Sequence, residues 1–89
     1  MLKTFNDYIL DLTVTPQTLL LPEDAQIVAL RDASDKLIMT ALIDANETYG
    51  KIRAFQICTL SNVILANEVI YIGTCETELL GQIYLVEIK

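Results

Sequence analysis

Hydrophobic and polar residues alternate with a period of two near the start of the chain. Between Asp7 and Val14, one set of alternate positions holds Tyr8, Leu10, Leu12 and Val14, and the other holds Asp7, Ile9, Asp11 and Thr13. A period of two is typical of a β-strand, in which successive side chains point to opposite faces. We predict a strand over 7–14 that ends before Pro16, because proline cannot donate a hydrogen bond to a neighbouring strand.

Short apolar segments separated by turn residues continue to the end of the chain. They cover residues 18–21, 27–32, 37–43, 51–60, 69–74 and 83–88. Residues 22–25 predict a turn with Pro22 at its second position, and residues 33–36 predict the loop of an antiparallel hairpin. Residues 62–68 and 76–80 are predicted to form helical turns, the first capped by Ser61 or Asn62.

The last three of these strands are apolar on both faces. In residues 51–60, Ile52 and Ala54 lie on one face, and Phe55 and Ile57 lie on the other. Strands of this kind lie inside a sandwich, in a barrel wall or under a subunit interface. The sequence therefore predicts an all-β fold: a single small antiparallel β-sandwich or barrel of about six or seven short strands, forming one domain over residues 1–89.

An apolar fraction of 53% is high for a chain of 89 residues. A domain of this size buries only about 60 to 65% of the surface that its unfolded chain exposes. Part of the apolar surface is therefore expected to contact a partner, either in a homo-oligomer or in a complex with another protein.

The chain is acidic, with twelve acidic and six basic residues and a net charge of -6. Such a surface repels phosphate backbones, so ordinary nucleic-acid binding is not expected, although mimicry of nucleic acid stays open. The longest apolar stretches are too short to span a bilayer, so we expect no membrane association and a cytoplasmic location. In the cytoplasm Cys58 and Cys75 are expected to be reduced, buried thiols on strands.

Residues suited to catalysis are scarce. Without histidine the chain has no ordinary general base near neutral pH, no Ser–His or Cys–His pair and no imidazole metal ligand. Asp44, Asn46 and Thr48 have the spacing of calcium ligands, but Tyr49 stands where glycine is required and Phe55 where glutamate is required. The sequence therefore predicts a protein that is not an enzyme, with no catalytic residues, no cofactor and no metal.

Four short motifs occur in order along the chain: Leu21-Pro22-x-x-Ala25-x-Ile27, Ala41-Leu42-Ile43-Asp44, Arg53-x-Phe55 and Tyr71-Ile72-Gly73-Thr74. Together they resemble a family of small domains of unknown function encoded by tailed bacteriophages and prophages, from about Val14 to the C-terminus. That family commonly has glycine at the position of Asp24 and tryptophan at that of Thr40. The resemblance implies a phage accessory factor, such as an inhibitor of host defence, in the cytoplasm of an infected bacterium. It implies no catalytic or ligand residues.

The candidate ligand-binding residues are Arg31, Tyr49, Lys51, Arg53 and Tyr71. They include half of the six basic residues, and the predicted hairpins bring the two tyrosines close to them. An arginine beside an aromatic ring can hold a nucleotide or a carboxylate. The alternative is structural, with Arg53 paired to a nearby acid and the tyrosine hydroxyls at the surface.

Three hypotheses about function follow. The first is a counter-defence or other accessory factor that inhibits a host protein by direct contact. The second is a homo-oligomeric sponge that sequesters a small signalling nucleotide in pockets between subunits. The third is an accessory subunit of the virion head or tail.

Overall fold

The computed structural model describes residues 2–47 and 49–89. Its seven strands are β1 (Lys3–Asp11), β2 (Gln17–Pro22), β3 (Gln26–Ala33), β4 (Lys36–Asp44), β5 (Gly50–Cys58), β6 (Val69–Thr77) and β7 (Gly81–Ile88). None of the described residues is helical, so none belongs to a helix that could cross a membrane. Thr48, which completes the calcium-like spacing, lies outside the described residues.

The strands form two antiparallel sheets. The first sheet has the order β1-β4-β3 and the second has the order β2-β5-β7-β6. The chain changes sheet after β1, after β2 and after β4, while β3–β4 and β6–β7 are hairpins within one sheet. The predicted small antiparallel β-sandwich or barrel is confirmed, and the two sheets around one shared core make it a sandwich.

Alternate side chains of each sheet point into this core. The most completely buried are Leu10, Leu37, Met39 and Ala41 from the first sheet and Leu21, Phe55, Ile57, Ile83 and Leu85 from the second. Gly73 of β6 lies so close to β3 that a Cβ there would be 3.3 Å from Cδ1 of Leu30. The edge strands β3 and β6 therefore close one side of the sandwich.

The first strand is displaced from its predicted position, since β1 covers residues 3–11 and not 7–14. It pairs with β4 along its whole length, from Lys3 opposite Asp44 to Asp11 opposite Lys36. At the end of β1 the side-chain amide of Gln17 bonds both backbone groups of Asp11, as a neighbouring strand would. Asp11 N donates to Gln17 Oε1 at 2.8 Å, and Gln17 Nε2 donates to Asp11 O at 2.7 Å. Strand pairing, and not local alternation, sets the limits of β1.

The two predicted helical turns are wrong. Residues 62–68 are irregular, and Asn62 Oδ1 accepts hydrogen bonds from the backbone and hydroxyl of Thr59. Residues 76 and 77 belong to β6, and Thr77 closes the following turn by accepting from Leu80 N at 3.1 Å and donating to Gly81 O at 2.7 Å. Pairing of β6 with β7 satisfies the backbone groups that a helix would have paired internally.

Both predicted turns form, with one correction. Ala25 N donates to Pro22 O at 3.0 Å, so Pro22 is the first residue of that turn and not the second. In the β3–β4 hairpin Ala33 pairs with Lys36, and Ser34 between them has a φ of 66°. Gly81, at the β6–β7 turn, has a φ of 71°. Both residues occupy the left-handed region that most side chains disfavour.

We expect Gly81→Ala to lower the free energy of unfolding by about 1 to 2 kcal/mol. No atom lies within 4 Å of a Cβ at Gly81, so the loss would come from backbone conformation alone. Ser34→Gly is the converse change, and it should leave stability unchanged or raise it by less than about 1 kcal/mol. Urea denaturation of both variants checks this, and a Gly81→Ala protein as stable as the wild type would contradict it.

Candidate protein-binding surfaces

The five candidate ligand-binding residues lie on different parts of the molecule. Arg31 lies on the outer face of the first sheet, and Tyr71 lies on the outer face of the second sheet. Tyr49 is exposed in the connection between β4 and β5. Lys51 and Arg53 share the inward-facing side of β5. The structure therefore brings Lys51 and Arg53 together and separates the other three.

Arg53 forms an ion pair with Glu87 inside the sandwich. Arg53 Nε donates to Glu87 Oε2 at 2.8 Å, and Nη2 donates to Oε1 at 2.7 Å. Nη1 donates to the carbonyl of Ala25 at 2.7 Å, and the guanidinium carbon lies 5.5 Å from the centre of the Phe55 ring. The two charged side chains are only 14% and 8% exposed. Arg53 thus joins β5 to β7 and to the turn before β3, as the structural alternative requires.

The ion pair fixes the charges of both partners. The hydrogen bonds from Arg53 lower the pKa of the Glu87 carboxyl below its ordinary value, although burial acts in the opposite direction. The same hydrogen bonds raise the pKa of Arg53. Glu87 is therefore ionised at neutral pH despite its burial.

The candidate residues chosen from the sequence omitted Glu87. The signal that could have found it is an acid within the apolar segment 83–88. A charged side chain that faces a core is rarely buried without a partner. The sequence could not name that partner, because Arg53 lies 34 residues away.

Two lysines flank this ion pair. Lys51 and Lys89 are exposed, and the charge of each contributes to the lowered pKa of Glu87. With Arg53 they form a basic cluster, defined here as Lys51, Arg53 and Lys89, which holds half of the basic residues of the chain. The exposed ammonium groups of this cluster are free to meet an anion, whereas the guanidinium already donates three hydrogen bonds to the protein.

Large apolar side chains also cover the outer side of the second sheet. We define the second-sheet surface as Leu20, Ile52, Leu60, Val63, Leu65 and Tyr71, all of them exposed. Leu60 and Leu65 are the extreme cases, at 91% and 89% exposed. Both belong to the irregular connection between β5 and β6, so this surface combines a sheet face with a loop laid against it.

Hydrogen bonds hold this connection against the sheet. Gln56 Nε2 donates to Val63 O at 3.4 Å, and Lys89 N donates to Glu68 O at 2.9 Å. A shallow groove of about 560 Å³ remains between the connection and the sheet, with Ala54 and Leu65 among its lining residues. The connection buries part of the outer face, including Gln56, but directs its own leucines to solvent.

The outer face of the first sheet is a second exposed surface. We define the first-sheet face as the outward side chains of β1, β4 and β3, with Phe5, Ile9, Ile38 and Leu42 as its large apolar members. At its centre, Arg31 Nη2 and Thr40 Oγ1 donate to the carboxylate of Asp7 at 2.8 and 2.6 Å. The Arg31 guanidinium is thus engaged by Asp7 of β1, on the far side of β4, and does not approach the other candidate residues.

Both cysteines are free thiols on strands. Cys58 is buried as predicted, and Cys75 is half-buried. Burial, followed by the charges of Asp32 and Glu76, raises the pKa of Cys75. Because the thiolate is the reactive form, these surroundings keep Cys75 in its unreactive, protonated form at neutral pH.

Comparison of the chain with protein-family models, curated proteins and solved structures finds no match.

We expect Glu87→Gln to lower the free energy of unfolding by about 3 kcal/mol, because it leaves the Arg53 guanidinium buried without its counter-charge. The double variant Arg53→Met/Glu87→Leu should lose less than Glu87→Gln, since no buried charge remains. Arg31→Met, which removes one partner of the exposed pair with Asp7, is the matched control and should cost less than about 1 kcal/mol. Chemical denaturation of the four proteins gives the comparison, and equal losses from the exposed and buried pairs would contradict it.

The same ion pair also sets a pH dependence. A carboxyl whose pKa is lowered by folding stabilises the protein above its unfolded pKa, ordinarily 4.5, and loses that contribution as the pH falls through the lower folded value. The difference in stability between the wild type and Glu87→Gln should therefore be constant near neutral pH and shrink below 4.5. A difference that did not depend on pH would show that the carboxylate charge is not responsible.

Proposed function

We propose that this protein is a non-catalytic binding protein that acts by direct contact with another protein, through the second-sheet surface. Combined with the resemblance to phage-encoded domains, this makes it a counter-defence or accessory factor that inhibits a host protein in the bacterial cytoplasm. The observation that supports the proposal most strongly is the exposure of Leu60 and Leu65 on a connection that hydrogen bonds hold against the sheet.

Leu60 and Leu65 lose the stabilisation of burial by facing water. Burial of one leucine side chain is worth about 1.5 to 3 kcal/mol. Leu60, Val63 and Leu65 gain little of this in the isolated chain, although the sandwich beneath them is complete. Several large apolar side chains exposed on one side of a molecule are typical of protein-binding sites.

The charge distribution defines the chemistry of the partner. The connection that carries the three exposed apolar residues has a single charged side chain, Glu68, and the molecule as a whole carries a charge of -6. The complementary surface is an apolar patch with lysine or arginine opposite Glu68, because opposite charges at the rim favour encounter and reject other partners. A host enzyme whose basic groove handles nucleic acid or nucleotides has this chemistry.

We expect affinity-tagged wild-type protein to retain a bacterial protein from a host lysate and Leu60→Asp/Leu65→Asp to lose it. The double change places two charges at the centre of an apolar contact, where anchor residues are commonly worth 2 kcal/mol or more, which is roughly 30-fold in affinity. Leu79→Asp is the matched control, because Leu79 is also an exposed leucine but lies in the β6–β7 turn.

The retained protein is identified by mass spectrometry, and its direct binding is measured by calorimetry with purified components. Retention of the same proteins by all three forms would overturn the proposed surface. Failure of the wild type to bind the purified candidate would overturn the proposed inhibition by contact.

A second candidate function is sequestration of a small signalling nucleotide. The basic cluster favours it, because Lys51 and Lys89 present two exposed ammonium groups beside the buried Arg53. Such groups bind phosphate as point charges. This function would need a homo-oligomer if, as the sponge hypothesis states, the pocket lies between subunits.

Titration calorimetry with a cyclic dinucleotide tests this second function. Binding by the wild type should be lost in Lys51→Ala/Lys89→Ala and kept in Lys36→Ala, because Lys36 pairs with Asp11 on the first sheet, outside the basic cluster. No heat of binding at about 1 mM ligand, a concentration that detects interactions as weak as about -4 kcal/mol, would rule out a useful sponge.

A further inference from the structure

The charged side chains are divided unevenly between the faces of the sandwich. The first-sheet face holds six of them. Each base lies near an acid on another strand: Lys3 opposite Asp44, Arg31 with Asp7, and Lys36 with Asp11. Three acids and three bases leave this face with no net charge. Taking these six from the twelve acids and six bases of the chain leaves nine acids and three bases elsewhere, which is the entire net charge of -6.

The apolar members of this face lie in two rows. Phe5 lies opposite Leu42, and Ile9 lies opposite Ile38. The cluster of Asp7, Thr40 and Arg31 separates the two rows. Phe5 and Ile9 are 66% and 61% exposed, so neither row is covered within the chain.

We propose that the first-sheet face binds the same face of a second copy, forming a two-fold symmetric dimer. The charge distribution favours this occupant. Two copies of an acidic protein repel each other over most of their surfaces, but the first-sheet face is neutral and can meet its own copy without that repulsion. Arg31 and Lys36 keep their ion-pair partners Asp7 and Asp11 when the face is buried, and Lys3 lies opposite Asp44 at its rim.

The arrangement of the rows is compatible with a two-fold axis. In a face-to-face pair the axis lies in the plane of the interface, either along the strands or across them. An axis along the strands places each apolar row on the same row of the second copy. An axis across the strands places the Phe5 row on the Ile9 row. Only the second orientation brings Phe5 onto Ile9 and Leu42 onto Ile38, because an axis along β4 would place Phe5 and Ile9 over Gln26 and Arg31 of β3 in the second copy. We therefore favour the axis across the strands, which also places the polar cluster onto itself.

The dimensions of the face predict a dimer of modest affinity. β4 has nine residues, which at about 3.3 Å per residue gives about 30 Å, and three strands about 4.8 Å apart add roughly 14 Å of width. The footprint of roughly 400 Å² per copy falls below the roughly 800 Å² per partner of a standard interface. We therefore expect a dimer that forms at micromolar concentrations and dissociates on dilution.

Sedimentation velocity from about 2 µM to about 200 µM tests the proposal, since the range brackets a dissociation constant near 10 µM. The wild type should change from monomer to dimer over this range, while Phe5→Asp/Ile9→Asp should stay monomeric. Leu20→Asp/Ile52→Asp is the matched control, because it also places two acids on exposed apolar strand positions, but on the second sheet. It should dimerise like the wild type.

A second measurement distinguishes face-to-face contact from edge-to-edge pairing of two β1 strands. Thr40 lies on the central strand of the first sheet, so in a face-to-face dimer Thr40→Cys lies near its symmetry mate, with backbones about 10 Å apart. In an edge-paired dimer two β1 strands would separate the β4 strands by about 14 Å within one extended sheet.

A short bis-maleimide should therefore cross-link Thr40→Cys efficiently and form no covalent dimer of the wild type, which has Cys58 and Cys75 only. A wild type that stays monomeric at about 200 µM would overturn the proposal. So would dimerisation of Phe5→Asp/Ile9→Asp, or a dimer in which Thr40→Cys does not cross-link.

Discussion

Each strand of a two-layer sandwich can direct only every second side chain into the interior, and this limit shapes the whole molecule. Both sheets fill their single shared core with alternate residues, such as Met39 from β4 and Phe55 from β5. With 53% of its residues apolar, the chain has more hydrophobic side chains than one core layer can take. The remainder lies on the outer faces and on the β5–β6 connection, which is why apolar surface, and not a pocket, dominates the exterior.

Among the described residues, the ion pair of Arg53 and Glu87 is the exception to this apolar core. Arg53 and Glu87 are tolerated there because both carboxylate oxygens accept hydrogen bonds and a third N–H reaches the carbonyl of Ala25. The pair connects two strands and a turn. It also engages the most promising cation of the sequence, so any anion-binding role falls mainly on Lys51 and Lys89.

The two proposed interfaces lie on opposite sides of the sandwich. The first-sheet face is neutral and suits a second acidic copy, whereas the second-sheet surface consists of exposed apolar side chains. A dimer formed through the first sheets would leave both second-sheet surfaces exposed, at its two ends. Such a dimer would present two equivalent sites to a partner, which raises the effective affinity for an oligomeric target.

Local sequence patterns predicted much of the fold and little of the site. The alternation in residues 7–11, the apolar segments 37–43 and 83–88 and the turn at 33–36 each reflect short-range preferences, so they could be read directly. The predicted helical turn at 76–80 was wrong because residues 76 and 77 have no clear local preference, and only pairing with β7 makes them part of a strand. The five candidate residues were wrongly grouped into one site for a related reason. Alternation shows that Arg31 and Arg53 each point to one face of a strand, but it does not show which face meets the other sheet.

The sequence by itself therefore determined the class of fold, the apolar surplus and the lack of histidine, because these follow from composition and from patterns within a few residues. Tertiary structure alone decided that Arg53 meets Glu87, that β1 extends back to Lys3, and that three acids and three bases meet on one neutral face. Each of these depends on which strands pair and in what register. Those pairings join residues distant in the chain, and no local period encodes them.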